Sequence, residues 1–467
     1  MAQRNSRPTT ERTVFDFFEA PTVDWSATEF GADSRRQSFV LADEGISNRL
    51  NQVVPQIYAD AVDIAAALHL ADRMAVRGPG QRGWARRLRV SLPVRCLDRW
   101  LSKPIHDVLF EVLRYATQDQ WEITFNQRIT PGRSSETQSH LQLGHPEEPC
   151  EVALYSGGLD SFAGLAAAAS QRSHNRFICV SVTGNPRHLQ RQNEQLGMLQ
   201  RTLGVSITHV PVQYHLVDAE QQRQERTRRT RGILFLLVGG ITALIAGKNE
   251  LLVFENGVGA INLPQDGAQI GIDNSRSVNP VALLLVGRLL SLISGYPFTI
   301  TNECIYKTKT EMCAHPAVAR VSGGIRSTFS CDGFPVRRRH LAQCGFCTSC
   351  LLRRQALEAA MMQFHDSDDY GCDLTQDGPF LSHHLHGLRA MTLQANSIED
   401  AMKSADQWRG LTLAFPELRR AAEALSQNNE PAFVKDALLG MYNRHAEEWR
   451  GFSALRRLAI QPLQCVA

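Results

Sequence analysis

The 467-residue chain lacks an apolar run long enough to cross a membrane. Its most hydrophobic stretch, Gly232 to Gly247, is about sixteen residues, against the roughly twenty that a membrane helix needs. That stretch reads as a helix buried against a sheet. The opening Met1-Ala2-Gln3-Arg4-Asn5 runs into a polar stretch without an apolar leader core, so no signal peptide is expected and the expected location is cytoplasmic. Net charge is also scarce. A formal +3 is too little to announce a nucleic-acid surface, so anions are expected to be bound locally. Eleven cysteines make an odd set in a large chain, which argues against a disulfide framework. No Walker sequence ending in Gly-Lys-Ser/Thr occurs, so the usual γ-phosphate-transfer loop is absent.

Length alone predicts two or three domains. Residues 1 to about 45 are polar and are expected to wrap or fray. The patterning then predicts a helix over Tyr58–Leu70, a strand over Leu88–Val94, a helix over Ile105–Tyr115 and a strand over Trp121–Phe125. These give an accessory α+β domain over 1–145 without a chemistry-bearing motif. Thr130–Glu148, rich in turn formers, reads as the connection onward. From 146 to 365 short apolar strands alternate with helices: strands at Glu151–Tyr155, Phe177–Val182, Ser206–Val212, Leu251–Glu255 and Phe298–Thr301, helices at Phe162–Ser170, Leu189–Leu203, from Gly232, and at Val281–Ile293. That rhythm predicts an α/β fold with a doubly wound parallel sheet, with ligands at the carboxyl ends of its strands. Residues 366–467 read as helical over Ser397–Trp408, Pro416–Leu425 and Ala432–Trp449.

Between the first core strand and its helix lies Tyr155-Ser156-Gly157-Gly158-Leu159-Asp160-Ser161. Two glycines let backbone N–H groups turn inward as an anion nest, and the following helix adds its N-terminal dipole. Ser156 and Ser161 each carry a hydroxyl donor. Asp160 would repel a phosphate unless a divalent cation stood between them, which assigns it to Mg²⁺. A second Ser-Gly-Gly, at 322–324, has neither the Asp nor a preceding strand and reads as a loop. Late in the core, Cys331 is followed by Cys344-Gly-Phe-Cys347-Thr-Ser-Cys350. Thiolates spaced by three, with a fourth at a distance, close a tetrahedral shell around Zn²⁺; an iron–sulfur cluster is the alternative for the same ligands. Arg337, Arg338, Arg339 and Arg353 surround the set, either screening its charge or facing an anionic ligand.

The segment VALYSGGLDSFAGL resembles the PP-loop of the adenine-nucleotide α-hydrolase superfamily, in which ATP is cleaved between the α and β phosphates and AMP passes to an acceptor oxygen. Together with the late cysteine set, it resembles the 7-cyano-7-deazaguanine synthases, the QueC family. Further local matches are Arg187-His188 after the second strand, Arg231-Gly232-Ile233-Leu234-Phe235 opening a helix, Lys309-Thr310-Glu311-Met312, and Cys350-Leu-Leu-Arg353. The likeness spans about 150–360. The extensions at both ends, with Glu255-Asn256-Gly257, look more like the longer QueC-like (QatC-like) proteins of bacterial anti-phage operons.

The resemblance implies an ATP-dependent carbon–nitrogen ligase that adenylates the carboxylate of a 7-deazaguanine, with ATP, Mg²⁺ and Zn²⁺ as cofactors. In the synthases the amine is ammonia and a second ATP dehydrates the amide to a nitrile, so a housekeeping synthase is the alternative. In the defence branch a protein partner from the same operon is expected as amine acceptor, docked by the N- and C-terminal additions. Tyr155 to Ser161 would hold the nucleotide. Arg231 and Lys309 would meet the triphosphate or the carboxylate, each weighed against a solvated cation. His188 is either an acid/base group or a helix cap, and Asp273 either binds the base or caps a loop; Arg187 is a further substrate contact. An RNA-modifying PP-loop enzyme would place its cysteines differently. A zinc-ribbon nucleic-acid binder would carry more aromatics around them than Phe334 and Phe346.

Overall fold

The computed structural model describes residues 12–19, 21–26, 35–77, 85–130, 132–137, 149–172, 176–217, 224–225, 229–265, 276–333, 343–367, 370–374 and 382–455. Asp273 and Arg337 to Arg339 lie outside them. Ten strands form one sheet: β1 (Arg12–Phe17), β2 (Thr22–Ser26), β3 (Arg35–Ala42), β4 (Arg87–Val94), β5 (Gln120–Gln127), β6 (Glu151–Leu154), β7 (Arg176–Thr183), β8 (Ser206–Leu216), β9 (Glu250–Val253) and β10 (Thr299–Asn302). Their order is β10-β9-β6-β7-β8-β3-β2-β1-β4-β5. The first five are mutually parallel.

The two-residue alternation of these buried strands sorts their side chains onto opposite faces. Val152, Ile178 and Val180 join one apolar cluster with the helices Arg231–Ile245 and Pro280–Ser294. Ala153, Phe177 and Cys179 join another, with the helices Leu159–Gln171 and Pro186–Leu203. The chain therefore winds outward from β6 to β8 with helices on one face. It then crosses back to β9 and β10 with helices on the other. That reversal puts a switch point between β6 and β9, where an open parallel sheet offers a crevice at its carboxyl end.

Residues expected to wrap or fray carry β1, β2 and β3. Phe15, Phe17 and Val23 turn inward, while the facing positions are polar, with Arg36 bonded to both carboxylate oxygens of Asp24 at 2.9 Å or less. Half-polar strands of this kind have no apolar run to betray them. Their pairing is also non-local. β8 runs past its expected end at Val212, and Gln213–Leu216 pair antiparallel with Phe39–Ala42. Residues before and after position 145 thus share one sheet and one apolar cluster. In the C-terminal region, the helix expected over Ser397–Trp408 is divided. One helix covers Ser382–Met402, and another, Gln407–Ala414, starts at an Asp406 cap whose side chain accepts from the Arg409 amide.

A buried ionic cluster ties the N-terminal segment to the core. The Arg86 guanidinium donates to Asp119 and to the carbonyls of Asp72 and Ala75, and pairs with the Asp72 carboxylate. The other Asp72 oxygen accepts from the backbone amide of Thr230 at 3.1 Å and from its hydroxyl at 2.8 Å. Thr230 directly precedes Arg231, so Asp72 fixes where that helix begins. Removing one partner of a buried ion pair strands the other. Asp72→Ala is expected to lower stability by about 3 kcal/mol in urea unfolding; a loss under about 1 kcal/mol would contradict this role.

Candidate functional site

The Tyr155–Ser161 loop follows β6 at the switch point. Gly157 has a φ of 77°, the left-handed region that glycine tolerates best. A Cβ there would lie 3.0 Å from Gln192 and 3.1 Å from Nε2 of His188. From the flanking helix Pro186–Leu203, the Gln192 amide donates to the carbonyls of Tyr155 and Ser156, and Gln195 donates to that of Gly157. Ser156 and Ser161 bring their hydroxyls within 3.1 Å of each other. The helix that follows starts at Gly158 with no side-chain cap, which leaves first-turn amides for an anion or solvent.

Above the loop opens a cavity of about 700 Å³, lined among others by Ser156, Asp160, His188, Arg231, Glu255 and Lys309. Asp160 is 8% exposed. It pairs with the buried Lys309 ammonium and accepts from the Asn256 amide at 3.2 Å. The same Asn256 nitrogen reaches Glu255 at 3.0 Å. Burial, and then the adjacent Asp160 charge, push the Glu255 carboxyl up to about 8, so it is largely protonated at neutral pH. Two carboxyl groups therefore share one ammonium at the edge of the Tyr155–Ser161 loop. Glu255 and Asn256 follow β9 just as the loop follows β6, which is why the switch point brings them together. Sequence alone gave Glu255 no role in the site beyond a local resemblance, although it is a carboxylate at the end of an apolar strand.

Lys309 is held from behind by the C-terminal helix Pro431–Leu455. Its helix, Lys309–Cys313, starts with a capping box between Thr308 and Glu311. Glu448 accepts from the hydroxyls of Thr308 at 2.7 Å and Thr310 at 2.8 Å. Arg444 lies 3.0 Å from Glu311 and donates to the Tyr306 carbonyl. The C-terminal helices also reach the cavity, through Met391, Gln394, Tyr442 and His445. Their inner face therefore belongs to the site.

The remaining expected residues divide. Arg231 lines the cavity with its guanidinium 4.9 Å over the Phe235 ring. His188 does not cap its helix, since Asn185 takes that position by accepting from the Arg187 amide. Burial, then Arg231, depress His188 to about 4, so it faces the loop as a neutral imidazole. Arg187 is exposed and outside the cavity lining. Ser322–Ser327 is a short 3-10 turn packed beneath the loop. Arg353 is wholly buried and bonds Asp366, Thr328 and the Ile325 carbonyl. It braces this turn and faces no ligand.

Cys331, Cys344, Cys347 and Cys350 offer four sulfurs within 4.8 Å of one another, a set that could hold a metal such as zinc. A tetrahedron of roughly 2.3 Å Zn–S bonds has edges of about 3.8 Å, and the Cys344 and Cys350 sulfurs lie 3.8 Å apart. Backbone amides of Cys344 and Cys347 donate to the sulfurs of Cys331 and Cys344. Gly345, at a φ of 85°, makes the turn between them, where the Cys372 carbonyl leaves no room for a Cβ. The cluster is stapled to the Tyr155–Ser161 loop: the Phe329 amide and the Gln195 side chain both bond the Gly157 carbonyl, and Gln195 also bonds that of Ser327.

His209, like His188, is depressed to about 4, chiefly by burial; it bonds Ser181 and Asn193 at 2.6 Å. Between its ordinary 6.5 and 4 the unfolded chain binds the extra proton. This histidine therefore contributes stability in full above about pH 6.5 and loses it as pH falls toward 4. His209→Gln should lose less stability than the wild type between pH 7 and 5 in urea titrations; an equal or larger loss would contradict the assignment of a neutral, half-buried imidazole. The chain matches no protein-family model and no curated protein sequence.

Proposed function

We propose that this chain is an ATP-dependent carbon–nitrogen ligase of the QueC-like kind, which adenylates the carboxylate of a 7-deazaguanine-like substrate and passes the acyl group to an amine. The observation that carries the reading is the meeting, in one cavity, of a glycine-bearing loop at the switch point with Asp160, Glu255, Lys309 and Arg231. An amide nest and a helix N-terminus suit a polyphosphate. The order Ser-Gly-Gly-Leu-Asp-Ser favours cleavage at the α-phosphorus, as in the PP-loop enzymes it resembles.

Asp160 and Glu255 would hold Mg²⁺. Their fit is visible in Glu255, whose carboxyl is forced toward its neutral form by burial beside another carboxylate, a condition that a divalent cation reverses. Mg²⁺ supplies neutralisation of charge on the phosphate oxygens. The chain's own groups do the rest. Arg231 orients the substrate carboxylate, whose oxygen bonds to the α-phosphorus as the bond to the bridging oxygen of pyrophosphate breaks. The leaving pyrophosphate is received by the loop amides and the Ser156 and Ser161 hydroxyls, with Lys309 beside it. In the second step an amine bonds to the acyl carbon, AMP leaves with the electron pair of its C–O bond, and the amine proton passes to solvent. Neutral His188 bonds the loop and steadies it. The acceptor amine is assigned to a protein partner on the defence-branch resemblance.

The four thiolates would hold Zn²⁺, with their near-tetrahedral spacing as the fit. With four protein ligands the site has no open position, so its contribution is to folding. Elemental analysis is expected to give about one zinc per chain, with Cys347→Ser losing both zinc and solubility. Iron with sulfide, or folded protein without metal, would contradict this.

Turnover is expected to yield AMP and pyrophosphate, with Asp160→Ala slowing it by at least about a hundredfold while zinc content stays at the wild-type level. Products of ADP and phosphate alone, or full activity in that variant, would sink the proposal.

A further inference from the structure

The phosphate-type loop divides the cavity. Because β6 stands between β7 and β9, the ends of β7 and β9 flank the loop on opposite sides. The β7 side has Val180 and Val182 in the wall, with the neutral His188 on the helix that follows and Arg231 nearby. The β9 side carries a different chemistry, and most of it comes from the C-terminal helices. Met441 sits against Gly257, immediately after Glu255 and Asn256, where its sulfur and the Ile305 carbonyl together leave no room for a Cβ. Gln394 donates to the carbonyls of Leu263 at 2.9 Å and Pro264 at 3.1 Å. These contacts seat Tyr442, His445 and Gln394 over the segment that follows β9, and all three line the cavity.

Their state is unusual for buried polar groups. Tyr442 is 1% exposed, yet its hydroxyl makes no hydrogen bond to any described residue. His445 is 2% exposed, and burial depresses it to about 4, so it is a neutral imidazole with one donor and one acceptor nitrogen. Gln394 spends its amide nitrogen on the loop and keeps its carbonyl oxygen. Buried polar groups are nearly always satisfied, and an unpartnered hydroxyl costs stability without return unless something else completes it. None of the three carries charge, and together they offer both donors and acceptors.

We propose that Tyr442, His445 and Gln394 form a subsite for an uncharged nitrogen heterocycle, distinct from the place of the nucleotide, and that this is the ring end of the carboxylate substrate. The inference rests on the ligase reading above and deepens it. The β7 side takes the adenine against Val180 and Val182. The β9 side takes a second ring by hydrogen bonds, with the carboxylate of that ring reaching toward Arg231 and the loop. The C-terminal helices, which lie outside the stretch resembling known synthases, thus set substrate specificity.

Tyr442→Phe is the decisive variant, because it removes a hydroxyl with no protein partner and keeps the ring. Thermal unfolding, and calorimetric binding of α,β-methylene-ATP and of 7-carboxy-7-deazaguanine, are measured on the full-length wild type, Tyr442→Phe and His445→Gln. Tyr442→Phe is expected to melt at the same or a higher temperature, to bind the ATP analogue within twofold of wild type, and to bind the deazaguanine about tenfold more weakly. His445→Gln, which keeps a donor and an acceptor, should weaken the deazaguanine less. Loss of ATP-analogue affinity instead would place adenine against this wall and overturn the proposal. Wild-type protein that binds the ATP analogue but not the deazaguanine would overturn it while leaving the nucleotide reading intact. Failure of both ligands would bring down the ligase reading and the subsite with it. A lower melting temperature with unchanged deazaguanine binding would show Tyr442 to be structural.

Discussion

The buried Lys309–Asp160 ion pair is the contact around which the rest of the site is arranged. An ammonium and a carboxylate cannot leave water cheaply unless their remaining hydrogen bonds are met, and the neighbouring structure meets part of that need on the carboxylate side. Asn256 serves Asp160 and Glu255 with one amide, and the Thr308–Glu311 box fixes the turn that carries Lys309. Glu255, the third ionisable group, gives up its charge. The site thus holds one ion pair and one largely neutral carboxyl side by side.

That arrangement draws on every part of the chain. The N-terminal segment supplies Asp72, which sets the start of the Arg231 helix. The C-terminal helix supplies Glu448 and Arg444, which grip both ends of the capping box that spans Lys309. The cysteine cluster anchors the segment that bonds Gly157. The additions at either end are structural members of the site in this fold. Whatever partner surface they carry must lie on their outer faces.

Much of the core was legible because its signals are local. Alternating apolar strands and helices gave the parallel sheet, the glycines and serines after β6 marked the loop, and the three-residue cysteine spacing marked the metal set. Lys309 and Arg231, singled out by short matches, do line the cavity. What stayed hidden was non-local. Glu255 becomes meaningful only when the switch point sets β9 beside β6. The strands over 12–42 have one polar face and pair with a distant overhang of β8. Tyr442 and His445 sit in a helix whose pattern announces only burial. Arg353 read as a cation either screening the cysteines or facing a ligand, because sequence cannot tell a buried guanidinium bonded to carbonyls from an exposed one.

The central claim is that a carboxylate oxygen attacks the α-phosphorus on the Ser156–Ser161 loop. It is tested most directly by turning over 7-carboxy-7-deazaguanine labelled with ¹⁸O in its carboxylate, in the presence of ATP, Mg²⁺ and an amine. Mass spectrometry of the recovered nucleotide should show AMP carrying one labelled oxygen, because the P–O bond formed in the first step survives when the amine displaces AMP at carbon. Unlabelled AMP, or label found in inorganic phosphate beside ADP, would contradict the account.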